Sequence, residues 1–466
     1  MAQSESTCRA LDFARANRQA WLAKLVELLR FPTISSLYLS NQADFAACAD
    51  WLVQALADMG FERAERMPTG GPDVVYAEWL GAPGAPTLLL YGHYDVMPVD
   101  PLSDWKTSPF EPVVDEKRIR ARGASDDKGQ FFALLCAAEA WLKTGGLPVN
   151  LKVLLEGEEE ETSRHLVGFI QEHRDLLSCD GIIIADMGGL DPMVPLVEYG
   201  TRGNCFMEVT VTGPAKDLHS GTYGGAVDNP FNVLVRLLAQ IQDGQTRKIL
   251  VPGFYERVKE LTPREQALAQ EVPISNEIGL YTTGAPALGG ESEYPLKVRI
   301  SSRPTFEVHG IRGGYTGEGI KTVIPATAMA KLSFRLVPDQ DPDEVYRLVS
   351  EYLARLAPPT VKLAFVQLGR AWPATVNLDA PVVQAAGEAF LCGFGVPPKY
   401  IRGGGSLPIL TIMQEHLHPD ALLTGFGLPE DGEHAPNESL AISQFFRGID
   451  MMVHYFDVYG ELSRRR

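Results

Sequence analysis

Histidines and carboxylates gather at five places in this chain: Tyr91-Gly92-His93-Tyr94-Asp95, Ser125-Asp126-Asp127-Lys128-Gly129, Glu156-Gly157-Glu158-Glu159-Glu160-Glu161, Ala185-Asp186 and Gly432-Glu433-His434. Neutral imidazole with carboxylate is a donor set that suits zinc, and oxygen-rich mixtures of the two also suit manganese. Five such donors, with one carboxylate bridging, would hold two ions roughly 3.5–4 Å apart, the spacing that clamps both the attacking and the departing oxygen in a hydrolysis. A further carboxylate without a metal bond can act as general base, and neighbouring glutamates supply both jobs from adjacent positions. Asp95, two residues from His93, can orient its imidazole.

Taken singly, each signal has an ordinary reading. A histidine after a strand is more often a loop or core residue than a ligand. The run Glu158 to Glu161 has the composition of a solvated acidic face. Asp126, just before a helix, can serve simply as an N-cap, and Asp186 can be a plain loop residue. Joint placement weighs against these readings, because each group falls at the carboxyl end of a separate strand or at a helix start.

The elements that must position them are legible from apolar periodicity. Thr87 to Tyr91, Leu151 to Leu155 and Gly181 to Ala185 are short continuous apolar runs, as in strands buried on both faces, and Ala421 to Gly425 is a later strand. Helical stripes run over Asp44 to Met59, with Asp44 as N-cap and Gly60 as the stop, and over Gln130 to Leu142 and Pro381 to Phe390. This is the texture of an α/β domain, whose ligands collect beyond the carboxyl ends of the strands; His93 and Asp95 are expected on the loop there. From Phe206 the pattern changes to alternation, repeated at Ala330 to Leu336 and Val361 to Val366, with helices over Asn232 to Gln242 and Asp343 to Leu356. The fold expected is therefore α/β, a catalytic domain with a central, mostly parallel sheet flanked by helices (residues 1–204 and 373–466), with an inserted α+β lid or dimerisation domain (205–372).

Composition bounds the function. The chain has 466 residues, 45% hydrophobic and 22% charged, as in a globular protein of two domains. A formal charge of -17 argues against a nucleic-acid partner, which needs basic surface. Cys8, Cys48, Cys136, Cys179, Cys205 and Cys392 are scattered and contain no Cys-x-x-Cys pair, the usage of a reducing compartment. The first thirty residues show no secretory apolar stretch and no segment reaches the roughly 20 apolar residues that span a bilayer, so a cytoplasmic protein without membrane association is expected.

The segments Tyr91 to Pro98, Gly123 to Gly129, Glu156 to Glu160 and Asp217-Leu218-His219-Ser220-Gly221 resemble, in order, the signature blocks of the dinuclear zinc peptidases that include carnosinase, cytosolic nonspecific dipeptidase and aminoacylase. His309-Gly310-Ile311, Lys321 to Ala326 and Arg402 to Ile409 resemble in particular the carnosinase-like dipeptidase branch. The resemblance implies that Asp126 bridges two metal ions, that His93 and Asp186 complete one site, and that Glu160 and His434 complete the other. It implies Glu159 as general base and Asp95 as the residue that holds His93. It implies His219 as a histidine reaching into a partner subunit's active site to polarise the scissile carbonyl, hence a homodimer. Arg335, Gly404 and Ser406 correspond to the group that holds a substrate carboxylate, a role suited to a guanidinium. The family continues its glutamates with a Gly-Ser-like pair where this chain has Thr162-Ser163. Aligning Ser163 with the family serine fixes Glu159 as base and Glu160 as ligand, leaving Glu158 and Glu161 as non-ligands.

The function implied is hydrolysis of the peptide bond of dipeptides by a metal-bridging hydroxide, with two divalent ions, zinc or alternatively manganese. An N-acyl amino acid deacylase or a carboxypeptidase on the same scaffold is the nearest alternative, and a metal-binding interaction protein without catalysis a more distant one. Gly313 to Thr322 imitates a phosphate-binding loop, but Ile320 separates the last glycine from Lys321 and no helix start follows. Ser220 and Ser406 lack the Gly-x-Ser-x-Gly elbow of a serine hydrolase.

Overall fold

The computed structural model describes residues 4–464. They form two compact units: one made of the chain up to Tyr199, Val376–Tyr400 and the chain from Ile409 on, the other of Gly200–Thr375 and Ile401–Pro408. An α/β unit with an inserted α+β unit is thus the architecture. Ile401–Pro408, which sequence texture kept with the first unit, packs with the second. Hydrogen bonds explain this: Arg202 donates from its main-chain N to Gly405 O (2.8 Å) and from Nε to Gly404 O (2.8 Å).

The first unit is built on an eight-stranded sheet in the order Arg63–Met67, Val74–Trp79, Asn150–Glu156, Thr87–His93, Gly181–Ala185, Asp420–Thr424, Leu196–Glu198, Lys399–Ile401. The four central strands run parallel, and antiparallel strands pair on either side of them. Central strands are buried on both faces, which is why they read as unbroken apolar runs. Their register aligns the ends that matter: His93 pairs with Glu156, Tyr91 with Ile184, and Ala185 with Thr424. The strand at Thr87 continues through His93, two residues beyond its apolar run, so His93 is its last strand residue rather than a loop residue.

Helix Lys128–Leu142 is buried on every side, packed against Glu5–Leu28, Gln42–Met59, Ile442–Arg464 and the strand Thr87–His93, which accounts for its lack of a polar face. Gly92 is where that strand and helix meet most closely: a Cβ there would stand 2.5 Å from Phe131 Cβ and 2.8 Å from Asp127 Oδ2. Helix Gln42–Met59 begins before the expected Asp44, which falls instead in the first turn, where a carboxylate favours the helix dipole. Gly60 ends it in a left-handed conformation with φ 110°.

The second unit holds a four-stranded antiparallel sheet, Thr305–Gly313, Thr327–Leu336, Gly203–Thr212, Lys362–Ala371, covered by helices Pro230–Ala239 and Pro342–Leu356. Cys205, Met207, Val209 and Val211 alternate onto the covered face and meet Val345, Val349 and Leu353, spaced four apart on the second helix. Cys48, Cys136 and Cys205 are buried free thiols. Among the described residues, no helix is long and apolar enough to cross a membrane.

Candidate metal centre

The carboxyl ends of the parallel strands bring His93, Asp126, Glu160, Asp186 and His434 into one cluster. Asp126 stands at its centre. His93 Nε2 lies 3.1 Å from Asp126 Oδ1 and 3.6 Å from Asp186 Oδ2, while His434 Nε2 lies 2.8 Å from Asp126 Oδ2 and 3.4 Å from Glu160 Oε2. The two oxygens of one carboxylate thus face two different imidazoles, dividing the cluster into two halves. His93 Nδ1 is 3.1 Å from the main-chain carbonyl of Asp95, an obligate acceptor, so Nδ1 carries a proton and Nε2 is the nitrogen turned to the carboxylate oxygens.

A buried cluster with more carboxylates than imidazoles calls for positive charge. His93 Nε2, Glu160 Oε1 and Asp127 Oδ1 are buried with no hydrogen bond in line. Asp127, Glu159 and Glu433 add further carboxylates, so negative groups outnumber the imidazoles. The titration behaviour reports the same crowding. Burial, with Asp186, Asp95 and Asp126 beside it, lifts Glu159 to about 8 even against the pull of His93. Burial and Asp126 lift Glu160 to about 10, and burial with Asp126 and Asp186 lifts Glu433 to about 7. Burial would lower His93, yet Asp186 and Asp126 carry it well above the ordinary histidine value. Asp126 alone goes down: burial opposes ionisation, but hydrogen bonds and charge from His434 and His93 prevail. These donors fit divalent cations of the zinc or manganese type, and two groups, Asp126 with Glu160 and His434, and Asp127 with Asp186 and His93, converge closely enough to hold one each.

Asp95 does more than its expected role beside His93. Its carboxylate stands 3.4 Å from His93 Nδ1, and it also accepts the main-chain N–H of Glu159 (3.2 Å) and of Glu160 (3.1 Å). One buried side chain therefore fixes the short 3-10 turn Glu159–Glu161 against the end of the His93 strand. Within the glutamate run, Glu158 is bonded to His165 Nδ1 (2.9 Å) and N (3.0 Å), and Glu161 faces Arg164 at 3.6 Å.

Three residues near the cluster escaped the sequence reading. Asp127 accepts the N–H of His93 at 3.2 Å; its adjacency to Asp126 was the available signal. Glu433, next to His434, faces Ser125 Oγ at 3.3 Å. Glu438 carried no signal. It is completely buried and accepts four hydrogen bonds: from Ser125 N (2.8 Å) and Asp126 N (3.0 Å) on Oε1, and from Gly123 N (2.8 Å) and Arg122 Nη1 (2.8 Å) on Oε2. Arg122 Nη2 in turn donates to His434 O at 3.2 Å, so this carboxylate ties the Asp126 loop to the His434 turn. His434 itself sits at φ 61°, a left-handed conformation that a non-glycine residue adopts at some cost.

In the second unit, Arg335 Nη1 donates to Ser406 Oγ at 2.7 Å, and Gly404 is drawn close by Arg202. Burial lowers Arg335. His219 lies on the short ribbon Leu218–His219 paired with Val323–Ile324, its side chain exposed.

Fold and site together define a metal-dependent hydrolase. The chain belongs to the family described as Peptidase family M20/M25/M40, whose profile matches residues 89–457. It is 34% identical over 420 residues to the Cys-Gly metallodipeptidase dug1 of Schizosaccharomyces pombe, covering 87% of this chain and 87% of that one. It is 31% identical to the Beta-Ala-His dipeptidase of Mus musculus, covering 84% of this chain and 82% of that one. Among solved structures, the M20 family metallo-carboxypeptidase Sso-CP2 from Sulfolobus solfataricus superposes with a TM-score of 0.85 at 33% identity, covering 95% of this chain and 99% of that one.

Proposed function

We propose that the chain is a metal-dependent dipeptidase in which His93, Asp126 and Asp186 hold one divalent cation and Asp126, Glu160 and His434 the other. The observation that carries this reading is Asp126, whose two oxygens face the Nε2 atoms of His93 and His434 at 3.1 and 2.8 Å. When bound, the two cations polarise the scissile carbonyl and bring water toward ionisation near neutral pH. The chain's own groups do the rest. Glu159 takes the proton of the attacking water and returns it to the departing amine. Asp95 holds the Glu159 turn in place. Arg335, Ser406 and Gly404 bind the substrate's C-terminal carboxylate, and the partner subunit's His219 donates a hydrogen bond to the carbonyl oxygen as negative charge develops there.

We further propose zinc as the metal, with manganese as the alternative, a homodimer as the working unit, and the cytoplasm as its compartment, where buried thiols such as Cys48 and Cys136 stay reduced. The likeness to Sso-CP2 supports a second reading, a carboxypeptidase acting on longer peptides through the same centre. The test is a panel of free dipeptides, longer peptides and N-acetyl amino acids, run after chelation and again after zinc or manganese is restored. Dipeptide turnover that disappears with the metal and returns with it is expected. Turnover indifferent to chelation would sink the metal-dependent reading, and a clear preference for longer peptides would move the assignment to the carboxypeptidase.

A further inference from the structure

An exposed imidazole ordinarily samples several rotamers and both neutral tautomers. That of His219 is engaged at both nitrogens. Nδ1 lies 3.0 Å from the main-chain N of Gly221, and Nε2 lies 3.4 Å from Thr322 Oγ1. The backbone around it is fixed too: His219 pairs with Val323, and Ser220 N donates to Thr322 O at 3.1 Å.

The two contacts are unequal. A backbone N–H can only donate, so Nδ1 must accept, and in a neutral ring the proton then resides on Nε2. Thr322 Oγ1 can accept that proton's hydrogen bond, but at 3.4 Å the bond is weak and a better acceptor displaces it. The close approach also depends on the missing side chain at residue 221, since a Cβ there would stand 2.8 Å from His219 Cε1 and 3.1 Å from Nδ1. Gly221 has no positive φ, so this requirement concerns the ring above it rather than the backbone conformation.

We propose that Gly221 is a positioning residue for His219: its N–H, and the space left above it, hold the imidazole as the Nε2–H tautomer and aim that donor outward. The inference rests on the proposed role of His219 in polarising the carbonyl only for its effect on rate; the tautomer follows from the contacts alone. A bare N-cap would need only an acceptor oxygen, which serine or asparagine supplies more compactly. A histidine here adds a rigid donor on the far side of the ring.

The test is the tautomer, read by long-range proton–nitrogen NMR of the full-length protein labelled in histidine, in buffer above the ordinary histidine titration range, with the His219 signals assigned by their loss in His219→Gln. The parental protein is expected to show a pyridine-type Nδ1 and a pyrrole-type Nε2. Thr322→Val should leave that pattern intact, because Gly221 sets it. Gly221→Ala should give a mixture of tautomers and lower kcat by about tenfold or more, short of the roughly 10²–10³-fold lost with an entire oxyanion donor, with KM moving less. A parental ring in the Nδ1–H form, a tautomer that switches in Thr322→Val, or a Gly221→Ala enzyme with parental tautomer and kcat would each overturn the proposal. If the alanine variant fails to fold, the first two measurements decide. A parental protein inert toward dipeptides would sink the reading of the reaction, while the tautomer would still decide this one.

Discussion

Two carboxylates in the centre act in opposite senses, and their surroundings explain why. Asp126 is held ionised by two imidazoles, whereas Glu159, with Asp186, Asp95 and Asp126 around it, retains its proton up to about 8. Asp126 belongs to a converging donor group and is suited to hold a cation, as is Glu160, whereas Glu159 belongs to neither group and is left to carry a proton. Glu159→Gln keeps the shape of the side chain and removes its basicity. It is expected to lower kcat by roughly 10²–10⁴-fold, and metal analysis of the purified variant should still find the parental metal content. Loss of metal together with activity would instead make Glu159 a ligand.

At the scale of elements, the site is a set of strand ends joined by buried carboxylates. Parallel pairing sets His93 beside Glu156 and Tyr91 beside Ile184, and Asp95 then clamps the glutamate turn to the His93 strand. Glu438 plays the corresponding part for the loop that carries Asp126. Its partner Arg122 is as deeply buried as itself, so Glu438→Gln leaves a guanidinium without its countercharge. Breaking such a pair costs about 3–5 kcal/mol, which chemical denaturation of the metal-free variant should show. A titration with zinc should also show weaker binding, because glutamine keeps only one of the two oxygens that the Gly123, Ser125 and Asp126 amides share and turns a donor toward the rest. Unchanged zinc affinity would confine Glu438 to stability.

For the whole molecule, the crowded carboxylates link folding, pH and metal. A carboxyl whose folded value stands above its unfolded one makes the native chain bind more protons than the unfolded chain between the two values, so stability falls as pH rises through that interval. For Glu433 and Glu159 the interval runs from about 4.3 in the unfolded chain to about 7 and about 8 in the folded one. Chelated protein should therefore melt at steadily lower temperature across that range. Zinc or manganese, binding only the native chain, should raise Tm most at the upper end. A metal-free Tm that does not fall with pH would show that the cluster relaxes without its ions. The proposed homodimer can be tested by complementation. His219→Ala and Glu159→Gln, each inactive alone, should regain about a quarter of parental activity when mixed equally and allowed to exchange, since half the dimers then contain one intact composite site. A mixture that stays inactive would place His219 in the active site of its own subunit.

The sequence by itself determined where donors of the right chemistry stand and which apolar runs deliver them. Short continuous runs leading to His93, Glu156 and Asp186 follow from strands buried on both faces, and alternation from Phe206 follows from a sheet covered on one face. Only the tertiary structure decided how the other carboxylates are shared: Glu158 bonds His165, Asp95 gathers two amides, and Glu438 supports a loop more than three hundred residues earlier in the chain. The reason is physical. Burial of apolar surface repeats with the period of a strand or helix and so leaves a trace along the chain, whereas a hydrogen bond between distant segments is a single contact whose partners are chosen by the packing of everything between them.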